Sequence, residues 1–497
     1  MDREIHDIIS KLGTNEKAAL RLLIDLPQKI LDEPSSKLFS LYPWTGVILF
    51  PKNIEDKKQT VTLIQKLQIM NAQSFPDYPL FISVDQEGGS VSPLEKLMTP
   101  SPGNMALTAA RDSEGVSAIS KLAAKELKDL GFNVNFAPVM DVNTAPENPI
   151  IGIRSFGSDP EMVAELGCRV IRAYQGEGVM AVAKHFPGHG DTIKDSHLDL
   201  PVVNAPLERI SKVELYPFEK AVQAGVWGMM TAHVIFPCLD TKPATLSRKI
   251  LTELLRKKMN FQGVIFTDSF SMAAIREHFD LEEAVKEAVL AGSDVLLALG
   301  DDRYQLEIFQ ILKDLIKDGG LPSECVDDPI YRILSYRKKL ALLKPFSDFV
   351  PTPHLTENLH EKAVTILKGE ELLPVSGDFE IFLSPDASVK IQLFKEVFPD
   401  FTFVSWPWEK NPDQERYAVF FGERRTLIPE VVKRIKEWNF EPYLAISFGN
   451  PYLLHLVSTS KIQIATYHIN SIFVKEASKI LLQGKKVRGK LPVPIIS

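Results

Sequence analysis

Short, continuously apolar runs recur through the first 300 residues, and four of them break off at a charged or imidazole side chain. They are TGVILF (45–50), PLFISV (79–84), FNVNFAPV (132–139), VMAVAKHF (179–186), GVWGMMTAHV (225–234), GVIFTD (263–268) and SDVLLAL (293–299). Runs of this length without polar alternation predict strands buried on both faces, hence a parallel sheet covered by helices. Amphipathic helical segments lie between them: SAISKLAAKELKDLG (117–131), PEMVAELGCRVIRAYQGEG (160–178) and LEEAVKEAVLAG (281–292), with glycine closing the last two. Seven or eight such units fit a (β/α)₈ barrel of the TIM type better than a doubly wound sheet. No glycine-rich dinucleotide turn follows the first of the runs.

The polar residues follow strand polarity. Asp85 comes after FISV, Lys184 and His185 after MAVA, His233 after MMTA, and Asp268 after VIFT. In a barrel those strand ends converge on one mouth, where active sites are built. Beyond the barrel, expected over 1–343, KPFSDFVPTPH (344–354) reads as a linker with three prolines and no periodicity. The remainder, 355–497, carries strand-like FEIFLS (379–384), FTFVSW (401–406), YAVFFG (417–422), YLAISFG (443–449) and IQIATY (462–467) with helical IPEVVKRIKEW (428–438) among them. This predicts a smaller α/β three-layer sandwich.

Bulk properties narrow the function classes. A formal net charge of −7 and a pI near 5.9 give no basic field to gather nucleic-acid phosphates, and the short basic segment Lys485, Lys486, Arg488, Lys490 reads as a solvated tail. The N-terminal MDREIHDIISKLG lacks the apolar core of a signal peptide, and no stretch approaches the roughly 18 uninterrupted apolar residues of a membrane span. Cys168, Cys238 and Cys325 are odd in number and far apart, as suits a reducing compartment. The expectation is a cytoplasmic protein.

Chemistry concentrates in KHFPGHGDTIKDSH (184–197), with three histidines, two aspartates and two lysines in fourteen residues. Pro187 and Gly188 make a helical zinc pair of His185 and His189 implausible, although a set of His185, His197, His233 and an aspartate at a barrel mouth stays open. The other reading is proton transfer. Asp195, two residues before His197, can bond one ring nitrogen, fix the tautomer and leave the other nitrogen to exchange a proton. Asp268 reads either as an anionic oxygen poised at a strand end or as the N-cap of a helix starting near Ser271.

Taken in order, VDQEGGSV (84–91), NFAPVMDVN (135–143), NPIIGIRSFG (148–157), KHFPGHGDTIKDSHLDLP (184–201), GMMTAHVIFP (228–237), PATLS (243–247) and FQGVIFTDSFSM (261–272) resemble the successive motifs of glycoside hydrolase family 3, in its β-N-acetylglucosaminidase branch. AVTILKGEELLPV (363–375), SFGNPYLL (447–454) and GKLPV (489–493) resemble the second domain of two-domain members. The resemblance implies Asp268 as nucleophile, His197 as general acid/base and Asp195 as its orienting partner. It also implies Asp85, Arg154, Lys184 and His185 as substrate-binding residues, with His233 in a supporting role. The substrate class implied is a carbohydrate ending in β-linked N-acetylglucosamine, with peptidoglycan-derived muropeptides as its source; no metal or organic cofactor is called for. One departure stands out: where the family carries arginines after DQEGG, this chain has Ser90 and Pro93. Sugar recognition then falls to Arg154, Lys184 or another loop.

Overall fold

The computed structural model describes residues 3–31, 39, 42–193, 199–343, 350, 352–408, 412, 417–423, 428–438 and 441–494. Asp195 and His197 lie outside the described residues, as does most of the expected linker. Eight parallel strands close into a barrel: β1 (Leu22–Asp25), β2 (Gly46–Ile48), β3 (Phe81–Val84), β4 (Val134–Asn135), β5 (Met180–Phe186), β6 (Gly228–Thr231), β7 (Val264–Ser269) and β8 (Val295–Ala298). Each strand pairs with its sequence neighbours, and β8 returns to β1 through Leu22↔Leu296. Seven of these strands fall on the apolar runs. The eighth, β1, is hidden in sequence because only Leu20 and Arg21 separate it from the helix Thr14–Ala19, so AALRLLID reads as one helical stretch.

Side chains alternate along each strand, and this sets the height of everything at the mouth. The barrel interior is filled by Leu23, Ile48, Phe81, Val134, Met180, Val182, Met230, Val264, Phe266, Val295 and Leu297. Their neighbours Ile24, Val47, Ile82, Ala181, Ala183, Ile265 and Leu296 face the surrounding helices. Phe266 packs on Phe136 and Phe81, with ring centroids 5.5 and 6.2 Å apart. Two residues beyond the last inward apolar side chain, the same parity brings in Asp25 after Leu23, Lys184 after Val182 and Asp268 after Phe266. Asp85 follows Phe81 by four. A polar layer thus sits on an apolar one.

The opposite end of the barrel is closed by buried cations. Arg337, on the helix Glu324–Leu342, donates to the carbonyls of Tyr78 (2.5 Å) and Pro79 (2.9 Å) and to Asn71 Oδ1 (2.5 Å), tying down the entries of β2 and β3. Burial pushes this guanidinium down to about 9. Asp294, immediately before β8, accepts from Ile265 N (2.7 Å), from Arg332 Nε (2.9 Å) and from Arg256.

The second unit holds a six-stranded sheet. Its strands are β9 (Thr365–Lys368), β10 (Glu380–Leu383), β11 (Thr402–Val404), β12 (Tyr417–Phe421), β13 (Leu444–Ser447) and β14 (Ile462–Ala465), in the order β9-β14-β13-β12-β10-β11. All neighbours are parallel except β9, which runs antiparallel to β14. The helices Leu355–Ala363, Ile391–Val397, Ile428–Lys436 and Ser471–Gln483 flank it, and no described helix is long and apolar enough to cross a membrane.

Burial raises the Asp294 carboxyl, but Arg256 and then Arg332 outweigh it and hold the group below its ordinary value. Asp294→Ala should therefore cost about 3 kcal/mol, the lower end for a broken buried ion pair because Arg332 keeps 27% of its side chain exposed. A lowered urea midpoint would report it. A depressed folded-state carboxyl contributes stability above its unfolded value of about 3.9 and loses it as pH falls further. The difference between wild type and variant should accordingly be full at pH 7 and shrink below about pH 4.

Candidate active site

A cavity of about 720 Å³ opens at the C-terminal mouth of the barrel, within the size range of small-molecule sites. Its polar wall brings together Asp85, Glu87, Arg154, Lys184, His185 and Asp268, and its apolar wall includes Phe50, Ile151, Pro93 and Leu299. Five of the residues marked in sequence therefore share one space.

Glu87 is the hub. Its carboxylate, 1% exposed, takes a bidentate pair from Arg154, with Nε at 2.9 Å and the second nitrogen at 2.8 Å, and Lys184 Nζ stands 2.6 Å away. Lys184 also donates to Asp85 Oδ1 at 2.5 Å. Burial pushes the Glu87 carboxyl up, but Arg154 and then Lys184 overcome this and hold it at about 2. Burial likewise disfavours the Lys184 ammonium, and Asp85 and Glu87 reverse that, leaving it raised. Asp85, at the open end, keeps 28% of its side chain exposed. Arg154 spends a third N–H on the carbonyl of Ile150 (3.1 Å), so three of its five donors are committed within the protein.

A second buried carboxylate arranges the histidine loop. Asp141 Oδ2 lies 2.7 Å from His185 Nδ1, and Oδ1 accepts the backbone N–H of His189 at 2.7 Å. Burial raises Asp141, and His185 outweighs it, so the group sits below its ordinary value. A carboxylate only accepts, so Nδ1 of His185 carries the proton and Nε2 is left to meet a ligand. The Lys184–His185 peptide is cis. His189 is driven down to about 4 by burial and then by His185, against the pull of Asp141. It is neutral near pH 7.

Asp268 ends β7 with its Oδ1 accepting the N–H of Ser269 at 2.8 Å. It does not cap a helix: the next one, Ala273–Arg276, starts at Met272 without a side-chain cap. His233 stands behind the wall, wholly buried, and not among the cavity-lining groups. Its Nδ1 lies 2.8 Å from Thr245 Oγ1 and its Nε2 donates to the carbonyl of Ser269 at 3.0 Å. It steadies the strand end that carries Asp268, which is a supporting position and leaves no nitrogen to contact a substrate. His185 and His233 are thus spent on different partners. Among the described residues no group of three or more His, Cys, Asp or Glu side chains is arranged to hold a metal.

Glu87 and Asp141 are absent from the residues marked in sequence. Both carried a signal: Asp141 follows the largely apolar FAPVM (136–140) as Asp85 follows FISV, and Glu87 faces the same way as Asp85 two residues earlier. Ser90 is exposed and Pro93 lines the cavity without bringing a charge. Lys52 supplies a further cation at the rim, held by Asp25 at 2.6 Å. Glu87→Gln keeps the shape but removes the anion two buried cations share. It should cost about 3–5 kcal/mol, whereas Asp85→Asn at the exposed end should cost about 1 kcal/mol or less. Urea denaturation of both variants tests the ranking; equal losses would deny Glu87 its central place.

Comparison with known proteins identifies the family. Residues 24–336 match the glycosyl hydrolase family 3 N-terminal domain. The chain is 36% identical over 383 residues to beta-hexosaminidase A of Pseudoalteromonas piscicida, covering 71% of this chain and 64% of that protein, so it spans just under two thirds of that relative. A beta-hexosaminidase of Thiobacillus denitrificans is 37% identical over 258 residues, 51% of this chain and 70% of its own length. Among solved structures, a glycoside hydrolase family 3 beta-N-acetylglucosaminidase from Paenibacillus sp. superposes with a TM-score of 0.87 at 29% identity, over 97% of this chain and 99% of that one. With that match running from the first barrel strand to beyond the last, the chain belongs to glycoside hydrolase family 3.

Proposed function

We propose that the chain is a retaining exo-β-N-acetylhexosaminidase that removes terminal β-linked N-acetylglucosamine. The observation that carries this reading is the presence of Asp268 in the same cavity as Asp85, Arg154, Lys184 and His185, in a chain whose relatives are named as beta-hexosaminidases and a beta-N-acetylglucosaminidase.

The sugar enters the mouth with its hydroxyls toward Asp85, Arg154, Lys184 and Nε2 of His185. The first two bring an acceptor and the two guanidinium N–H groups not spent on Glu87 and Ile150, already oriented by Glu87 and Lys184 before substrate arrives. Asp268 attacks the anomeric carbon and forms a glycosyl-enzyme. His197, as imidazolium steadied by Asp195, protonates the departing glycosidic oxygen, and neutral His197 then takes a proton from the water that hydrolyses the intermediate. Histidine replaces the second carboxyl group found in most retaining glycosidases. The loop leading to Asp195 and His197 is anchored on its described side by His189 N on Asp141 and by Arg209 on Asp191 (2.8 Å). His189, neutral at working pH, offers no competing acid. No metal or organic cofactor takes part. The natural substrates are N-acetylglucosamine–anhydromuramyl fragments of peptidoglycan, cleaved in the cytoplasm during wall recycling.

Turnover of nitrophenyl-N-acetylglucosamine well above nitrophenyl-glucose, together with release of N-acetylglucosamine from the anhydromuramyl disaccharide, is the expected result. Absence of turnover on both N-acetylglucosaminides would overturn the reading. His197→Ala should lose ~10²–10⁴-fold on the disaccharide and much less on the activated nitrophenyl substrate, since positioned acid catalysis matters most for a poor leaving group; similar losses on both would remove the acid role. Asp268→Ala should abolish covalent labelling by a slow fluorinated N-acetylglucosamine, followed by mass spectrometry of the intact chain.

A further inference from the structure

The second domain contributes no side chain to the cavity among the described residues, yet it grips the stretch that carries Arg154. Four contacts converge there. The helix Asn104–Ala109 buries Met105, Ala106 and Ala109 in the second domain's own core, alongside Phe379, Ile464 and Phe473. From its first position, Asn104 Nδ2 donates to the carbonyl of Arg154 at 2.6 Å. Ile153, next to Arg154, packs on the same core. The C-terminal segment crosses over both: Lys490 N donates to Ala109 O at 3.0 Å, and Pro492 O accepts from Ser158 N at 3.4 Å. Gly157 has φ +141°, and a Cβ there would stand 2.6 Å from Pro492 O, so the crossing is flush.

Arg154 is therefore held from two sides. Glu87 of the barrel fixes its guanidinium, while Asn104, seated on the second domain, fixes its main chain. We propose that Asn104 is a positioning residue through which the second domain sets Arg154 in the sugar site, so that binding strength depends on an interface that does not touch the substrate. This rests on the reading of Arg154 as a sugar-binding group. It separates two roles that an interface can have. The ion pair between Lys362 of the helix Leu355–Ala363 and Asp112 (2.6 Å) also joins the two domains, but neither side chain makes a hydrogen bond to Asn104, Ile153 or Arg154.

The test compares full-length wild type, Asn104→Ala, Ile153→Ala and Lys362→Met by calorimetric titration with N-acetylglucosamine and by nitrophenyl-N-acetylglucosamine kinetics. Loss of the Asn104 hydrogen bond should weaken sugar binding about two- to tenfold, and raise KM by more than it lowers kcat. Ile153→Ala should do the same, and Lys362→Met should leave affinity within error of wild type. Asn104→Ala and Ile153→Ala binding as wild type does, or Lys362→Met weakening binding to the same degree, would overturn the positioning role while leaving the hydrolase reading intact. A wild type that binds the sugar but turns nothing over would overturn the hydrolase reading and leave the positioning role to stand on the titrations. A wild type that does neither would overturn both.

Discussion

A carboxylate with almost no access to water, Glu87, is the interaction on which the rest of the site depends. An unpaired carboxylate in that place would simply take up a proton, because burial favours the neutral form. Here a guanidinium from the loop after β4 and an ammonium from β5 converge on a group from the loop after β3, and Asp85 completes the array. Two loops are thereby tied to each other and to strand β5 by one electrostatic knot. Removing Glu87 leaves Arg154 without its ion-pair partner and Lys184 with only the more exposed Asp85, so the array depends on that one carboxylate. Under the proposed function its meaning is preorganisation: donors and acceptors stand in position before the sugar arrives, and no binding energy is diverted to gathering them.

What puts that knot at the mouth is the parity of the strands. In β1, β5 and β7 the inward positions are apolar through Leu23, Val182 and Phe266 and then become Asp25, Lys184 and Asp268. The change from apolar to charged occurs at one height around the barrel because the strands stagger in register. Phe266, wedged against Phe136, is the floor on which the Asp268 end of β7 rests. His233 adds a lateral brace by donating to the Ser269 carbonyl. The nucleophile candidate is thus fixed by packing below, by a main-chain N–H beside it and by an imidazole behind it.

Much of this was legible in the residues. The barrel followed from apolar runs alternating with amphipathic helices, and the site from the rule that polar groups at the C-terminal ends of such runs converge. The failures have physical causes. β1 was masked because a four-residue strand abutting a helix has no period of its own. β9 was missed because VTILKG is short, half-buried and an antiparallel edge, unlike the buried parallel strands beside it. Glu87 and Asp141 escaped because their work is done on other side chains. Sequence reading favours groups that could meet a substrate and undervalues those that orient them. His233, given a supporting role, stands behind the wall because its parity is opposite to that of inward-facing Met230, and there it braces the end of β7.

The longest irregular stretch of the barrel, residues 136–159, explains why this catalytic unit is tied so closely to a second domain. Its first residues still pair with the barrel, Phe136 N on Val84 O and Met140 N on Lys184 O, but beyond them a 3₁₀ turn, Gly152–Arg154, is the one regular element, and buried main chain must find partners. Some are local: Asn148 Oδ1 accepts from Ile150 N and Ile151 N, and Ser155 Oγ donates to Asp141 O. The histidine loop supplies others, with Ala145 N on Gly190 O and His189 O accepting from Asn148 Nδ2. On its outer side the partners are Asn104, on the barrel-domain helix Asn104–Ala109 that packs into the second domain's core, and Pro492 of the C-terminal segment. A loop long enough to carry Asp141 under one histidine and Arg154 beside a buried glutamate is too long to hold itself. Part of its support therefore comes from the second domain, directly through Pro492 and indirectly through the helix of Asn104, which gives that domain a structural task even though it presents no side chain to the cavity among the described residues.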